Sequence, residues 1–441
     1  MTAQEPTRPL RVAVVGGGPG GLATGIALSA LPNVEVTIFE QATQLREIGA
    51  GVTIGLNGWR VLGLLGAADG IKGHRRIIVD HRDGLTGTLV GATASSFPPW
   101  YHPRRVRRMQ LQSALLDRIP PGVIQLSKRL TALENRESGR VRLIFEDGAT
   151  ATADLVVGAD GIRSVVRENI FPDHKTTFTG TTVWRTLIPW KSMDRFPELN
   201  HKTTWFHSPV GFVMTTPVDD PKEVDKDTDG LFEVSIRKWV DPKRLEVEKF
   251  RWGVDAVNEK VLSNFKEYGP LVQEVLSHVP EGVWKEYSTF AGPRLEKLTG
   301  WNKVVLLGDA SHPLSGAFGS GAAFAMEDGW ILARAIEHTH LNGNPTADSI
   351  AKALEIFDSI RSSYYLRMYD YIDLQERKVD GAKRNASAAG ISEWEAQLRV
   401  TVNGMIGDGL PWIYLNDIGN VWKKYLKGEA GDSVVSPSFD R

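Results

Sequence analysis

Cysteine is absent from this chain of 441 residues, so disulfide bonds, thiolate catalysis and cysteine-ligated metal sites are excluded. An excess of one charge is also lacking, because 52 basic and 53 acidic residues give a net charge of −1. The sharpest basic cluster, residues 104–108, is better explained as solvated charge than as a nucleic-acid surface. No apolar run approaches the ~18 residues of a membrane-spanning helix. Residues 1–9 lack an apolar secretory core. We therefore expect a cytoplasmic protein that binds neither nucleic acid nor membrane.

Ordinary globular composition accompanies these absences. The chain is 41% hydrophobic and 24% charged, which is typical of a folded protein rather than a disordered one. Its length predicts two or three domains with ample core. His201 and His207 are too isolated in the sequence to suggest a metal site, and we expect no metal.

A glycine-rich loop follows the first apolar run, residues 12–15. The spacing Gly16-x-Gly18-x-x-Gly21 permits a tight turn, close approach of backbone to a pyrophosphate, and packing of helix on strand. A second apolar run, residues 34–39, ends in Glu40, where a carboxylate that binds a ribose is expected. A glycine cluster alone could be a plain turn, but strand, helix and acid together predict a dinucleotide site.

Two later segments repeat this logic. Asp160 and Gly161 follow the buried run 154–158, and Gly308 and Asp309 follow the run 303–307. A lone Asp-Gly is usually a turn, but here it ends a strand of the kind that carries ligand loops in α/β sheets. The third segment leads into a predicted helix from Ala322 to about residue 338, whose N-terminus can stabilise negative charge.

Together these segments resemble the aromatic-ring hydroxylases, the single-component FAD-dependent monooxygenases. The resemblance spans residues from about 10 to 420 and is closest to the salicylate hydroxylase branch, on the runs 47–52 and 411–415. The motifs that carry it are the loop 16–21, Glu40, Arg46, residues 49–51, Arg108, residues 159–161, Trp184 with Arg185, and residues 308–310.

The resemblance implies an FAD cofactor and names the residues around it. Relatives often have a proline four residues after the histidine of the third segment, whereas this chain has Gly316, which affects the expected shape of that loop. The residues expected to bind FAD are Gly16, Gly18, Gly20, Gly21, Glu40, Arg46, Gly51, Val52, Arg108, Asp160, Asp309, Gly319, Gly321 and Ala322.

The implied activity is hydroxylation of an electron-rich phenolic, salicylate-like ring with NADPH or NADH and O2, through a flavin C4a-hydroperoxide. No second Gly-x-Gly-x-x-Gly follows a strand, so the nicotinamide is expected to dock transiently. The expected partners are these small molecules, and the expected assembly is a monomer or homodimer.

The expected fold is α/β, with a Rossmann-like FAD-binding domain, an antiparallel-sheet substrate domain and C-terminal helices. Apolar residues at helical spacing predict a helix over residues 350–379 that ends or bends near Gly381. The predicted divisions are residues 10–75, 101–175 and 293–349 for the FAD-binding domain, 76–100 and 176–292 for the substrate-binding β-sheet domain, 350–427 for the C-terminal helical region, and 428–441 for a disordered tail.

Candidate substrate residues come with structural alternatives. His312 could relay a phenolic proton or simply pack within its loop. Arg185 could pair with a substrate carboxylate or form a salt bridge between domains. Trp205, Phe212 and Met214 could line an aromatic wall, although residues at alternating strand positions are also typical of a core.

Three other functions remain open at this point. An NAD-dependent dehydrogenase without flavin needs only the first motif and leaves Asp160 and Asp309 unexplained. A non-catalytic binding protein could be built on the same fold. A flavin epoxidase or dearomatising hydroxylase of a larger aromatic natural product is the nearest alternative, favoured by Gly316 and by the 13 tryptophans.

Overall fold

A computed structural model describes most of the chain. The predicted flavin-side Arg46 and residues 430–441 of the predicted tail lie outside the described residues. The described residues are 8–45, 50–94, 102–137, 139–220, 222–223, 230–239, 251–292, 294–314, 316, 318–340, 346–406 and 410–429.

Strands and helices alternate in the first part of the chain, and helices dominate its end. The strands are β1 (Leu10–Val15), β2 (Val34–Phe39), β3 (Gly51–Ile54), β4 (His74–Arg75), β5 (Ile78–Asp83), β6 (Leu89–Ala94), β7 (Arg104–Arg107), β8 (Ile124–Gln125), β9 (Leu130–Asn135), β10 (Val141–Phe145), β11 (Thr150–Ala153), β12 (Leu155–Gly158), β13 (Thr177–Pro189), β14 (Thr203–Ser208), β15 (Gly211–Pro217), β16 (Leu231–Trp239), β17 (Trp252–Ala256), β18 (Trp284–Ala291), β19 (Thr299–Gly300) and β20 (Val304–Leu306). The helices are α1 (Pro19–Ser29), α2 (Leu56–Leu64), α3 (Arg108–Leu116), α4 (Val165–Ile170), α5 (Asn258–Ser263), α6 (Pro270–Ser277), α7 (Gly321–Thr339), α8 (Ala347–Asn385), α9 (Glu393–Ile406), α10 (Pro411–Tyr414) and α11 (Ile418–Leu426).

A mainly parallel sheet organises the nucleotide side of the molecule. Its strand order is β19-β20-β12-β1-β2-β8, and every pair except β19–β20 is parallel. β12 and β20 are buried at every position, as expected for strands covered on both faces. Helices α1 and α7 pack together beside this sheet, and its core is continuous with the buried face of α8.

A large, mainly antiparallel sheet forms the second half of the molecule. Its order is β17-β18-β13-β16-β15-β14-β5-β6, with β14–β5 as the parallel pair. One face packs Trp184, Phe206, Val213 and Ile236 into a core shared with α5 and α6. The opposite face, which carries the intervening residues, is covered in part by α9 lying on β6 and β14.

The predicted fold class is confirmed: a parallel nucleotide sheet, an antiparallel sheet and C-terminal helices are all present. The helix predicted to end or bend near Gly381 instead continues to Asn385. Glycine inside a helix costs only about 1 kcal/mol relative to alanine, and α8 is anchored by many buried residues earlier along its length.

Candidate active site

The loops that follow four parallel strands meet at one edge of the nucleotide sheet. β1 leads into Gly16, β2 into Glu40, β12 into Asp160 and β20 into Gly308, and these strands are neighbours in the parallel order β20-β12-β1-β2. Carboxyl ends of parallel strands share one edge, which is where such sheets bind ligands. The three motifs that are far apart in the sequence are therefore adjacent in space.

The glycine loop is shaped by close backbone contacts. Gly16 has a φ of 108°, a conformation that L side chains rarely adopt, and a Cβ atom there would overlap the carbonyl group of Ala159. A Cβ atom at Gly21 would overlap the carbonyl oxygen of Gly16. Gly20 faces α7, where its Cβ atom would lie 2.9 Å from that of Ala325. These glycines hold the loop against β12 and α7.

Gly18 is different, because the protein itself does not require a glycine there. Its backbone is extended, with φ −74° and ψ 179°, and a Cβ atom would meet nothing within 4 Å. Gly18 is the N-cap of α1 and provides no side-chain cap for the first turn of that helix. The N–H groups of this first turn have no side-chain cap, and open space lies beside Gly18, an arrangement suited to an anion.

Glu40 lies beside this loop. Its carboxylate accepts hydrogen bonds from the backbone N–H of Gly17 (2.6 Å) and Ala42 (2.8 Å). An ionised carboxylate offers about four lone-pair positions, so these two bonds orient Glu40 and leave capacity for a ligand hydroxyl.

Asp160 is engaged within its own loop. It accepts hydrogen bonds from the Ser164 hydroxyl (2.5 Å) and the Val166 N–H (3.1 Å), and Ser164 is the N-cap of α4. Burial raises the pKa of Asp160, whereas these hydrogen bonds lower it. In this geometry Asp160 fixes the start of α4 next to the glycine loop.

Asp309 projects into a recess of the protein. The residue is exposed to solvent, yet surrounding protein raises its pKa, and the positive charges of Arg108 and Arg167 act to lower it. A Cβ atom at Gly321, the first residue of α7, would lie 3.9 Å from Asp309 Oδ1. Arg108 therefore acts electrostatically on the third segment from the N-terminus of α3.

The N-terminus of α7 forms another side of this recess. Gly319 and Gly321 are exposed, Ala322 is half-buried, and Ser320, the N-cap, makes no capping hydrogen bond through its side chain. A helix of 19 residues without a side-chain cap presents a partial positive charge to whatever lies in front of it.

A buried ion cluster joins the large antiparallel sheet to a small three-stranded sheet, β3-β7-β4. Glu233, in β16, accepts hydrogen bonds from Arg105 Nη2 (2.5 Å) and Arg185 Nη2 (2.6 Å), and from the N–H of Gly51 (3.2 Å). Arg185 Nη2 also donates to the carbonyl oxygen of Gly51 (2.5 Å). Burial would raise the pKa of Glu233, but the two arginines hold it below its usual range. This geometry favours the salt-bridge alternative for Arg185. Val52, which follows Gly51 in β3, pairs with Val106 in β7.

His312 lies in the protein interior. Its Nδ1 is 2.5 Å from the Ser311 hydroxyl, its ring stacks on Tyr365 with centroids 3.4 Å apart, and its Nε2 is buried with no hydrogen-bond partner among the described residues. Burial and the nearby charge of Arg361 hold its pKa well below 6.5. These contacts favour the packing alternative over a proton relay.

Behind the third loop lies a charged cluster that the sequence did not indicate. Asp328, in α7, accepts hydrogen bonds from the N–H of Gly308 (2.9 Å), Arg361 Nε (2.6 Å) and the Tyr365 hydroxyl (2.7 Å). Asp328 and Arg361 are both almost fully buried. The long helix α8 therefore supports the backbone that carries Asp309.

The large sheet presents an aromatic face. Trp205 pairs with Met214, and Phe212 lies one alternating position away on β15. The rings of Trp205 and Phe212 meet edge to face, with centroids 4.6 Å apart. Met214 is nearly buried, whereas Trp205 and Phe212 are only half-buried. Their face is the one that carries Arg185 and Glu233 and is opposite the core face.

The described part of the chain offers neither a metal-binding cluster nor a helix that could span a membrane. It contains no group of three or more His, Asp or Glu side chains placed to hold a metal ion. None of the described helices combines the length and apolar character of a membrane span.

Comparison with known proteins identifies the family. Residues 9–224 match the family described as FAD binding domain. A 3-amino-4-hydroxybenzoate 2-monooxygenase of Streptomyces platensis, PtmB3, is 31% identical over 358 residues, covering 78% of this chain and 84% of the relative. The chain belongs to the FAD-dependent aromatic monooxygenases. Another member, the salicylate hydroxylase of Pseudomonas putida, is 27% identical over 377 residues, covering 80% of this chain and 82% of its own.

Solved structures of other proteins agree with the fold. A substrate complex of salicylate hydroxylase matches with a TM-score of 0.72 at 24% identity, covering 93% of this chain and 97% of that one. CtdE in complex with FAD and a substrate matches with a TM-score of 0.76 at 15% identity, covering 95% and 98%. Both likenesses establish the fold alone.

The residues at the carboxyl edge fit the FAD that this family binds. The open space at Gly18 faces an uncapped helix start, as a pyrophosphate requires. Glu40 retains capacity for ribose hydroxyls, and Asp309 lies in a recess beside the N-terminus of α7. The predicted cofactor, enzyme class and family are thus confirmed at the level of an FAD-dependent monooxygenase.

Proposed function

We propose that this monooxygenase uses NADPH or NADH and O2 to hydroxylate an electron-rich phenolic ring of the salicylate type. The observation that carries this proposal is the join at Gly51, where the nucleotide side meets the aromatic face through Glu233 and Arg185. Bound FAD would take hydride from the nicotinamide and activate O2. Two relatives of this chain, named 6-methylsalicylate 1-monooxygenase of Aspergillus terreus and salicylate hydroxylase, support the substrate class.

The binding roles follow from the geometry of the carboxyl edge. We assign Glu40 to the adenosine ribose, the backbone at Gly18 to the pyrophosphate, and Asp309 to the polyol chain, because each lies at that edge with capacity for a polar ligand. The exposed backbone at Gly319 and Gly321 would face negative charge on the reduced ring system. Arg46, Val52, Arg108 and Ala322 stay predicted cofactor neighbours.

The substrate role belongs to the aromatic face. Phe212 and Trp205 present half-buried rings, which would cover an aromatic substrate and keep water from it. Met214 lies beneath them as an adaptable apolar floor. Arg185 is already held by Glu233 and Gly51, so we assign it to fixing the join rather than to reacting with substrate.

A second candidate, epoxidation or dearomatising hydroxylation of a larger aromatic natural product, is favoured by Gly316. This residue is exposed and has a φ of 73°, which proline cannot adopt because its ring fixes φ near −65°. Gly316 therefore has a backbone conformation that the proline common in relatives would not allow. A differently shaped loop suits a differently shaped substrate.

The test is a substrate panel on the FAD-loaded protein. Salicylate, 4-hydroxybenzoate, 2-naphthol and benzoate would be scored for NADPH and NADH oxidation, O2 uptake and product by chromatography. We expect hydroxylated product from single-ring phenols and none from benzoate. Product only from 2-naphthol, with loss of aromatic absorbance, would favour the second candidate. Bound flavin without product from any phenol would contradict the proposal.

A cofactor variant separates binding from chemistry. Asp309→Ala is expected to give largely colourless protein, because the recess loses its carboxylate, whereas Asp147→Ala, at an exposed turn paired with Lys128, should purify yellow. Flavin content would be read from the visible spectrum before and after dithionite. A normal yellow yield from Asp309→Ala would refute the role assigned to Asp309.

A further inference from the structure

Two histidines on the aromatic face form a hydrogen-bonded pair. His81 Nδ1, in β5, lies 3.1 Å from His207 Nε2, in β14. Both residues are buried, with 3% and 5% of their surface exposed. The Trp205 ring is nearly parallel to both imidazoles, with centroids 6.5 Å from His81 and 6.3 Å from His207. Trp205 thus links the pair to the predicted aromatic wall.

Strand register places this pair on one flank of the wall and the ion cluster on the other. His207 is opposite Phe212, so their strands are about 5 Å apart. Met214, on the same strand as Phe212, is opposite Ser235, and Ser235 is opposite Arg185. Arg185 is therefore about 10 Å from the wall strand. A ring that lies against Phe212 is closer to His207 than to Arg185.

A cavity opens at this flank, roofed by α9. It has a volume of about 270 Å³ and is lined by His207, Phe212 and Arg237 together with Trp239, Trp394 and Gln397. Sites for drug-sized ligands start near 300 Å³, so this volume suits a single substituted ring. Because His207 Nε2 is bonded to His81, Nδ1 is the nitrogen with which His207 can serve a ligand.

The pair is uncharged at neutral pH. Burial lowers the pKa of His81 to about 4, with a further lowering by Arg76, and lowers that of His207 to about 3, with a further lowering by His81. A neutral imidazole has one donor and one acceptor nitrogen. If His81 donates to His207, His207 offers an N–H to the cavity; if His207 donates, it offers an acceptor. The pair can therefore match a hydroxyl or its deprotonated form.

We propose that His207, oriented by His81, hydrogen-bonds the hydroxyl group of a single-ring phenolic substrate that lies against Phe212. His207 would touch the substrate, whereas His81 is a positioning residue that acts through it. This inference rests on the proposed function and specifies its substrate: the ring must carry a hydroxyl, and that group must point toward β14.

The experiment asks whether the ligand hydroxyl and His207 contribute to binding together. Salicylate and benzoate, which differ by that hydroxyl, would be titrated into FAD-loaded wild type, His207→Phe and His207→Asn, with dissociation constants read from the flavin spectrum. His207→Phe should weaken salicylate about fivefold to tenfold, the range of one neutral hydrogen bond. It should leave benzoate within about twofold, and His207→Asn should recover part of the loss.

Further variants test the positioning role. His81→Phe should reduce the preference for salicylate over benzoate, and His81→Gln should restore it in part, because glutamine can still hydrogen-bond His207. His278→Gln is the control, since His278 is a half-buried histidine beside Glu274 and Arg195 that does not line the cavity.

Several outcomes would overturn the inference. Equal weakening of both ligands in His207→Phe would indicate a packing role, and unchanged salicylate binding would remove His207 from the site. Salicylate that binds wild type no tighter than benzoate would show that the hydroxyl makes no contribution. Any of these results with continued turnover of phenols would leave the proposed function intact, whereas flavin-loaded wild type that gives no product from any phenol would reject that function.

Discussion

The two candidate ligand surfaces of this molecule are built by different means. At the carboxyl edge of the nucleotide sheet, short contiguous loops follow parallel strands, and the backbone N–H groups at two helix starts are the main polar groups offered to a ligand. On the aromatic face of the large sheet, single side chains from alternating positions of several strands come together through register.

The difference shows where each surface is vulnerable. The loop 16–21 depends on the absence of side chains at Gly16 and Gly21, where a single added methyl group would overlap backbone atoms. The aromatic face depends on partners from distant strands, so the loss of one partner leaves others buried without compensation. Glu233, which joins the aromatic face to β3 and β7, is the extreme case.

The largest expected effect comes from breaking that join. Glu233→Ala leaves two arginines without their buried counter-charge, so we expect a loss of about 3–5 kcal/mol in the free energy of unfolding, measured by urea denaturation. Glu274→Ala, which breaks the exposed pair with Arg195, should lose less than about 1 kcal/mol. Similar losses in the two variants would mean that Glu233 does not hold the surfaces together.

Within the carboxyl edge, two glycines separate folding from cofactor binding. Gly21→Ala places a methyl group onto the Gly16 carbonyl oxygen, and this overpacking should cost the apoprotein about 3 kcal/mol. Gly18→Ala meets no protein atom within 4 Å, so apoprotein stability should change little while FAD affinity falls. Stability would be measured by denaturation and affinity by quenching of flavin fluorescence. Undiminished FAD affinity in Gly18→Ala would mean that the pyrophosphate lies elsewhere.

A smaller effect should distinguish the two surfaces by pH. The folded-state pKa values of His81 and His207, about 4 and 3, lie below the unfolded value near 6.5. Their contribution to stability is therefore present above pH 6.5 and is lost as pH falls toward 4. We expect wild type to lose about 2 kcal/mol more than His81→Gln/His207→Gln between pH 6.5 and 5.5.

The nucleotide side should respond in the opposite direction. Burial raises the pKa of Glu327 to about 7, above the unfolded value near 4.3. The stabilising contribution of Glu327 is present at low pH and is lost as pH rises through 7. In Glu327→Gln the stability should therefore fall less as pH rises toward 7. Denaturation midpoints measured across pH 4–8 would check both predictions. The same pH dependence of the midpoint in wild type and in all variants would contradict this difference between the surfaces.

The same contrast explains what the sequence could predict. The sequence predicts the nucleotide site through the glycine spacing, Glu40 and the acids at strand ends. These signals can be recognised because each loop that follows a parallel strand lies at the same edge of the sheet. The pair His81–His207 is separated by 126 residues and the pair Arg105–Glu233 by 128. Strand register joins the two histidines, and packing of one sheet against another joins Arg105 to Glu233. Neither arrangement is written in a local sequence pattern.

Individual side-chain roles were harder to predict than positions. His312 follows the third motif closely, yet its ring turns inward onto Tyr365 rather than toward a ligand. Gly381 carried a helix-ending signal that the packing of α8 overrides. In both cases tertiary contacts, invisible in a local window, decide the outcome.

Helix α8, with 39 residues, is ~58 Å long at 1.5 Å per residue. In its middle part Arg361 donates a hydrogen bond to Asp328 beneath the third loop. About 15 Å further along the helix, the Tyr371 hydroxyl donates to the carbonyl oxygen of Gly404 in α9, the helix that covers the cavity beside His207. The same helix therefore contacts both the support of the third loop and the helix above the proposed substrate cavity. A tilt of α8 would displace both of these elements together.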